Sequence, residues 1–194
     1  MTRNIEWLGP FGWPKWEGDL PPIPNVTGCV YLQTFEYQNG YIIDCAGFTT
    51  RLIRKRLLAH TRNFMNGTYS VLDVMAAHQG RREIIWKGFW NWAGKEPSRK
   101  DQAEYRERQT DFQDAACKQL QGLRVFIAYL GTEVRYLRRV ESAIMRNLDK
   151  QPAPSFSTPS EVMSLSDRWA SEQPIIIHNK CLVTIHGLPS CLII

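Results

Sequence analysis

Two β-rich runs, Cys29-Val30-Tyr31-Leu32-Gln33-Thr34-Phe35 and Tyr41-Ile42-Ile43, meet at the turn Gln38-Asn39-Gly40. Asn-Gly between such runs accommodates the positive φ angles of a tight antiparallel connection, so the segment reads as a β-hairpin. This feature constrains the chain most, because the segments that follow must supply cover for it. Gly47-Phe48-Thr49-Thr50 comes next, with a threonine placed as N-cap for a helix from about Arg51 to Phe64, whose buried stripe is Ile53, Leu57 and Phe64.

Farther on, 82–89 reads as a strand, Lys100 to Leu120 as a polar helix, Val125–Leu130 as a buried strand and Glu133 to Leu148 as an amphipathic helix. Pro152, Pro154 and Pro159, among several serines, end that unit. The tail offers Ile175–Ile177, a turn at His178-Asn179-Lys180 and Cys181–Ile185, which together predict a closing hairpin. Ahead of everything, Trp7, Trp13 and Trp16 stand among Pro10, Pro14, Pro21, Pro22 and Pro24. Proline at that density excludes regular helix, so residues 1–27 read as an arm that wraps the core through its tryptophans or presents them to a partner. The expected division is an arm over 1–27, a domain over 28–150 and an extension over 151–194, with no internal repeat and no second core.

A chain of 194 residues with 43% apolar and 22% charged residues can bury its own core and lies near the globular average. No apolar run is long enough to span a bilayer and the first residues lead into no signal-peptide core, so a cytoplasmic protein without a membrane partner is expected. Cys29, Cys45, Cys117, Cys181 and Cys191 are scattered, with no Cys-x-x-Cys pair, which argues against a disulfide framework and a structural zinc site. Cys191-Leu192-Ile193-Ile194 has the outline of a prenylation box, but lacks a usual final residue and a preceding basic stretch, and reads as an apolar strand end. The net charge of +5 and pI of about 9.0 favour anionic partners. The charge is local: no acidic residue lies between Asp44 and Asp73, where Arg51, Arg54, Lys55, Arg56 and Arg62 crowd together. That stretch suits phosphate, and these residues are the expected nucleic-acid contacts; a solvated basic helix face is the alternative.

Two charges break the helical patterns. Glu141 lies at +7 and +4 from Val134 and Leu137 and at −3, −4 and −7 from Ile144, Met145 and Leu148, in the middle of an apolar face. A carboxylate there is costly unless it is paired with an arginine or bound to a metal. On the other helix, His60 falls on the buried stripe at i+7 from Ile53, with Arg56 one turn earlier. A histidine and an arginine edging one apolar face, in a chain whose glutamate is similarly misplaced, are what an active-site wall requires.

The strand Cys29-Val30-Tyr31, the hairpin, Cys45-Ala46-Gly47, then Arg56-Leu57 with His60, and a later helical Glu141 follow an order and spacing that resembles the GIY-YIG nuclease superfamily. The resemblance covers about residues 28–148. It implies an α/β (α+β) fold with a small three-stranded antiparallel sheet flanked by helices, here with the N-terminal arm and the C-terminal hairpin extension added. It also implies a metal-dependent endonuclease acting on DNA or RNA, with DNA favoured, and compatible with a homo-oligomer. Tyr31 would then be the general base for the attacking water, Arg56 the clamp on the phosphate in the transition state, His60 a phosphate contact or proton relay, and Glu141 the ligand of Mg²⁺ or Mn²⁺. The tyrosine that should open the second motif is replaced by Asp44, or by Cys45 if one residue is inserted. Asp44 is expected to pair with Arg56 and to weaken cleavage, or to take over the tyrosine's task. The family's later asparagine is also missing; Pro152-Ala153-Pro154-Ser155 stands there, with Asn179 in the tail as the other source. The competing reading is an impaired nucleic-acid-binding or assembly module on the same fold, and a third is a protein-interaction domain built on the tryptophans.

Overall fold

Strand β2 (Cys29–Tyr37) is buried along nearly its whole length on both faces, and a strand covered on both sides must lie inside a sheet with layers above and below. The computed structural model describes residues 1–89, 97–151 and 165–194. In it β2 pairs antiparallel with β3 (Gly40–Thr49) on one side and with β6 (Arg124–Tyr129) on the other. Gln38 takes the positive φ that the hairpin turn needs.

The expected small three-stranded antiparallel sheet is overturned. β2, β3 and β6 belong to a seven-stranded mixed sheet that also takes in β1 (Thr2–Gly12), β7 (Ile176–Cys181), β8 (Thr184–His186) and β9 (Cys191–Ile193), in the order β8-β3-β2-β6-β1-β7-β9. Residues 1–27 are not only an arm, because β1 (Thr2–Gly12) runs antiparallel to β6 and parallel to β7 (Ile176–Cys181). Proline does not prevent this, since the β1–β6 register shifts between Leu8 and Phe11, and Pro10, which has no N–H to give, sits in that irregularity. The tail forms no closing hairpin of the expected kind. β7 pairs with β1 and with β9 (Cys191–Ile193), whereas β8 (Thr184–His186) pairs parallel with β3 at the opposite edge.

That connection determines the shape of the sheet. Laid flat, β7 and β8 would be about 24 Å apart at the usual inter-strand spacing, yet the chain from Cys181 to Thr184 can reach only about 11 Å. The sheet therefore curls into a half-barrel. Inside the curl lies α5 (Val134–Lys150), against Ile5, Trp7, Val30, Leu32, Ile43, Ala46, Phe126, Ala128, Ile177, Ile185 and Leu192, contributed by all of the sheet's strands. Glu133 caps α5 by accepting from the backbone N–H groups of Arg135 and Tyr136.

The other face carries α1 (Ile53–Met65), α2 (Val74–His78) and α4 (Gln109–Gly122), with Trp13, Tyr31, Phe35, Val125 and Ile127 in its core. Helix α1 starts two residues later than expected, and Thr50 does not cap it. Its first amide, of Ile53, donates to the carbonyl of Val26, while Thr49 Oγ1 accepts from the Arg51 N–H in the turn before it. The expected polar helix is two, α3 (Arg99–Glu107) and α4, meeting at Arg108. A short ribbon of β4 (Val71–Leu72) and β5 (Ile84–Trp86) flanks them. The proline-rich break expected at 152–159 lies outside the described residues. Among the described residues no helix is long and apolar enough to cross a membrane.

Trp7 distinguishes a wrapping arm from an integral strand. It is 2% exposed in the α5 core and its Nε1–H donates to Asn179 Oδ1 at 3.0 Å. Trp7→Ala should cost about 3–5 kcal/mol in urea unfolding; a change below roughly 1 kcal/mol, ordinary for a surface position, would show that β1 does not belong to the core.

Candidate functional site

Tyr31 points from β2 toward α1, away from the α5 side occupied by its neighbours Val30 and Leu32. Its room comes from Gly47, opposite it on β3. A Cβ at Gly47 would stand 2.5 Å from the Tyr31 Cζ and Oη atoms, so the ring lies flat against bare backbone. There the hydroxyl meets the inner side of α1. Tyr31 Oη is 2.8 Å from His60 Nε2, and Arg56 Nε–H donates to it at 3.4 Å. Arg56 and His60, one turn apart, thus reach the same oxygen.

The chain of hydrogen bonds continues. His60 Nδ1 lies 3.0 Å from the hydroxyl of Tyr69, a residue in the loop after α1 that the sequence reading missed because nothing periodic marks it. Arg56 can only donate, so Tyr31 Oη always accepts from it. Two arrangements satisfy the rest: Tyr31 donates to Nε2 while Nδ1–H donates to Tyr69, or Nε2–H donates to Tyr31 while Tyr69 donates to Nδ1. They share the same heavy-atom positions, so protons can shift along this line without rebuilding it.

Burial dominates the electrostatics. It pushes the Tyr31 hydroxyl well above the ordinary tyrosine range, against the opposing pull of Arg56, so the neighbouring charge does not bring Tyr31 down as the sequence suggested. His60 is driven down to about 3 by burial and then by Arg56, and is neutral. Arg56 itself remains exposed, a guanidinium held over the site with donors left for an anion.

Glu141 is half-buried on α5, between the apolar positions Leu137 and Met145. Burial raises its carboxyl to about 7 against Arg56, Arg138 and a hydrogen bond from the Phe48 backbone. No arginine forms an ion pair with it within 4.0 Å among the described residues. The carboxylate nevertheless shares a field with the tyrosine, since it adds to the upward shift of Tyr31.

The β2–β3 register places Asp44. Gln33 faces Cys45 and Thr34 faces Ile43, so Asp44 is the extra residue of a bulge. Cys45, not Asp44, therefore keeps step with Gly47. The Cys45 thiol is raised by burial, by Asp44 and by Glu141, with Arg82 and Arg56 opposing. Asp44 is buried and raised, and the cation acting on it is Arg82 rather than the expected Arg56. Arg82, in the loop before β5, was also missed.

The outer basic residues divide. Arg51, Lys55 and Arg62 are exposed, but Arg54 is tied at 3.0 Å to Glu17, brought in from the N-terminal segment. Asn179 is not in the site; its Oδ1 accepts from Trp7 and its Nδ2 donates to Pro189. As a metal ligand set, Glu141 stands alone, because among the described residues no three His, Cys, Asp or Glu side chains gather around one point. One hard oxygen ligand fits Mg²⁺ or Mn²⁺ held largely by water and substrate phosphate, and does not fit zinc.

No family model, curated protein or solved structure matches this chain significantly.

The raised Glu141 carboxyl gives a stability test with a definite sign. Above the unfolded value of 4.5 the unfolded state sheds this proton first, so wild type loses stability as pH rises from there through about 7. Glu141→Gln removes the loss. The variant's stability relative to wild type should rise by on the order of 2 kcal/mol between pH 4 and pH 8, read by urea unfolding at each pH; a difference independent of pH would mean that Glu141 is solvated like a surface carboxylate.

Proposed function

We propose that this protein hydrolyses phosphodiester bonds in nucleic acid, DNA above all, with Mg²⁺ or Mn²⁺. The observation that carries the reading is the single Tyr31 oxygen contacted by both Arg56 and His60, within the field of a half-buried carboxylate that forms no ion pair among the described residues. Structural burial alone explains a satisfied tyrosine; it does not explain an exposed guanidinium bonded to it and a half-buried glutamate in its field. The order of Tyr31, Gly47, Arg56, His60 and Glu141 along the chain supports the resemblance to the GIY-YIG nuclease superfamily.

Arg56 binds the scissile phosphate and stabilises the charge that builds on it as water attacks. Tyr31 is the base for that water. For this it must lose its own proton, and the line to Tyr69 supplies the route: the Tyr31 proton passes to His60 Nε2 as the Nδ1 proton passes to Tyr69, whose own proton leaves outward. Tyr31 is left as a phenolate accepting from Arg56 and His60, and the imidazole stays neutral throughout, as its low pKa demands. Glu141 would hold the metal, which when bound polarises the phosphate and water. The high proton affinity of Tyr31 and the thiol at Cys45, in place of a second tyrosine, imply slow turnover. They also favour the second reading, a module that binds nucleic acid without cutting it.

Cleavage of a labelled DNA duplex with Mn²⁺ decides between them. Arg56→Ala and Glu141→Gln should each lower the single-turnover rate by at least about a hundredfold, the range seen when one transition-state donor is removed. With metal below saturation, the wild-type rate should rise with pH throughout, because Tyr31 must ionise, and should rise by up to about a further tenfold per pH unit below pH 7, where the metal displaces a proton from Glu141. A rate indifferent to Glu141→Gln removes the metal assignment, and binding without any cleavage by wild type selects the second reading.

A further inference from the structure

Two further cations stand at the ends of the site, and strand β3 measures the distance between them. At one end Arg138, exposed on α5 one turn before Glu141, lies with its guanidinium carbon 5.9 Å from the centre of the Phe48 ring. The Phe48 backbone in turn acts on the Glu141 carboxyl, opposing its upward shift. In the middle, Gly47 backs the Tyr31 hydroxyl on which Arg56 converges. At the other end the bulge at Asp44 lies in the field of Arg82, whose Nε is shut off from solvent without a hydrogen-bond partner among the described residues. From Phe48 to Asp44 an extended strand covers about 13 Å. One strand of nucleic acid carries a phosphate about every 3.4 Å along its helix axis, so several fit that length.

Resting on the nuclease reading, we propose that Arg138 and Arg82 hold the phosphates on either side of the one that Arg56 faces. The site then takes a polynucleotide strand laid along β3, and is built against mononucleotides and isolated phosphodiesters. The electrostatics follow the same order. Arg138 acts on Glu141, Arg56 acts on Tyr31, Glu141 and Cys45, and Arg82 acts on Cys45 and Asp44. Phe48 beneath Arg138 gives that end a cation–aromatic surface on which a base or sugar can rest.

Affinity as a function of strand length tests this in a way that general damage to the fold would not imitate. In the full-length Glu141→Gln background, without metal, an octathymidylate and a thymidine dinucleotide are titrated against the protein. Arg82→Ala and Arg138→Ala should each reduce the ratio of the two affinities by roughly five- to tenfold and lower the salt slope for the octamer by about one unit. Arg82→Lys and Arg138→Lys should keep most of that slope. An unchanged ratio together with an unchanged slope overturns the proposal, whether or not the wild type cleaves. Conversely, a wild type that binds the octamer through both arginines but cuts no DNA with Mg²⁺ or Mn²⁺ defeats the nuclease reading and leaves the strand-binding assignment standing.

Discussion

The flat contact between the Tyr31 ring and the bare backbone of Gly47 is the interaction on which the site depends. It puts a phenol hydroxyl beyond the edge of β3, at the height where α1 presents Arg56 and His60. A side chain at Gly47 would have to occupy the space of the ring itself. The two-sided burial of β2 then fixes the ring from behind, since its register cannot slip without sending Val30 and Leu32 away from α5. Arg56 and His60 follow from the helix period alone once Ile53, Leu57 and Phe64 are seated on the sheet.

Burial, not pairing, sets the protonation of this pocket. Tyr31 is raised, His60 is lowered and Glu141 is raised, each toward its neutral form. Without ligand the pocket thus holds one secure charge, the Arg56 guanidinium. A bound phosphate would offset that charge, relieving one of the causes that depress His60. A cation at Glu141 would favour the carboxylate. The pocket is therefore preset for a ligand that brings both signs, and a phosphate accompanied by a divalent cation is such a ligand.

The local site was legible because it rests on the shortest periodicities in the chain. The spacing of Arg56 and His60 and the misplaced Glu141 needed only a helix of 3.6 residues per turn, and the hairpin needed only Asn39-Gly40. The extent of the sheet was not legible. β1 carries proline and reads as an arm, and its pairing with β6 and β7 joins residues more than a hundred apart, which no window along the sequence detects. The tail misled for the opposite reason: two apolar runs around a polar turn imitate a hairpin, yet β7 and β8 join opposite sides of a curled sheet, β7 between β1 and β9 and β8 beside β3. Tyr69, Arg82 and Glu17 reach their places through loops, where neither period nor capping leaves a trace. Arg138 could have been found, standing at i−3 from Glu141.

The bulge at Asp44 gives β3 one residue more than the stretch of β2 it faces. In a regular strand the extra residue would have turned every side chain after it to the wrong face, and Gly47 would no longer lie under Tyr31. The bulge absorbs the addition within Asp44 and restores the register at Cys45. Asp44 is then free of the alternation that binds its neighbours, and is held by burial and by Arg82. The bulge thus leaves the Tyr31–Gly47 contact untouched while setting Asp44 in the field of Arg82 from the loop before β5. On the proposed nuclease reading, Cys45 offers a thiol where the resemblance implies a phenol, on a scaffold that still aims it, so the geometry of the pocket and its catalytic power can diverge.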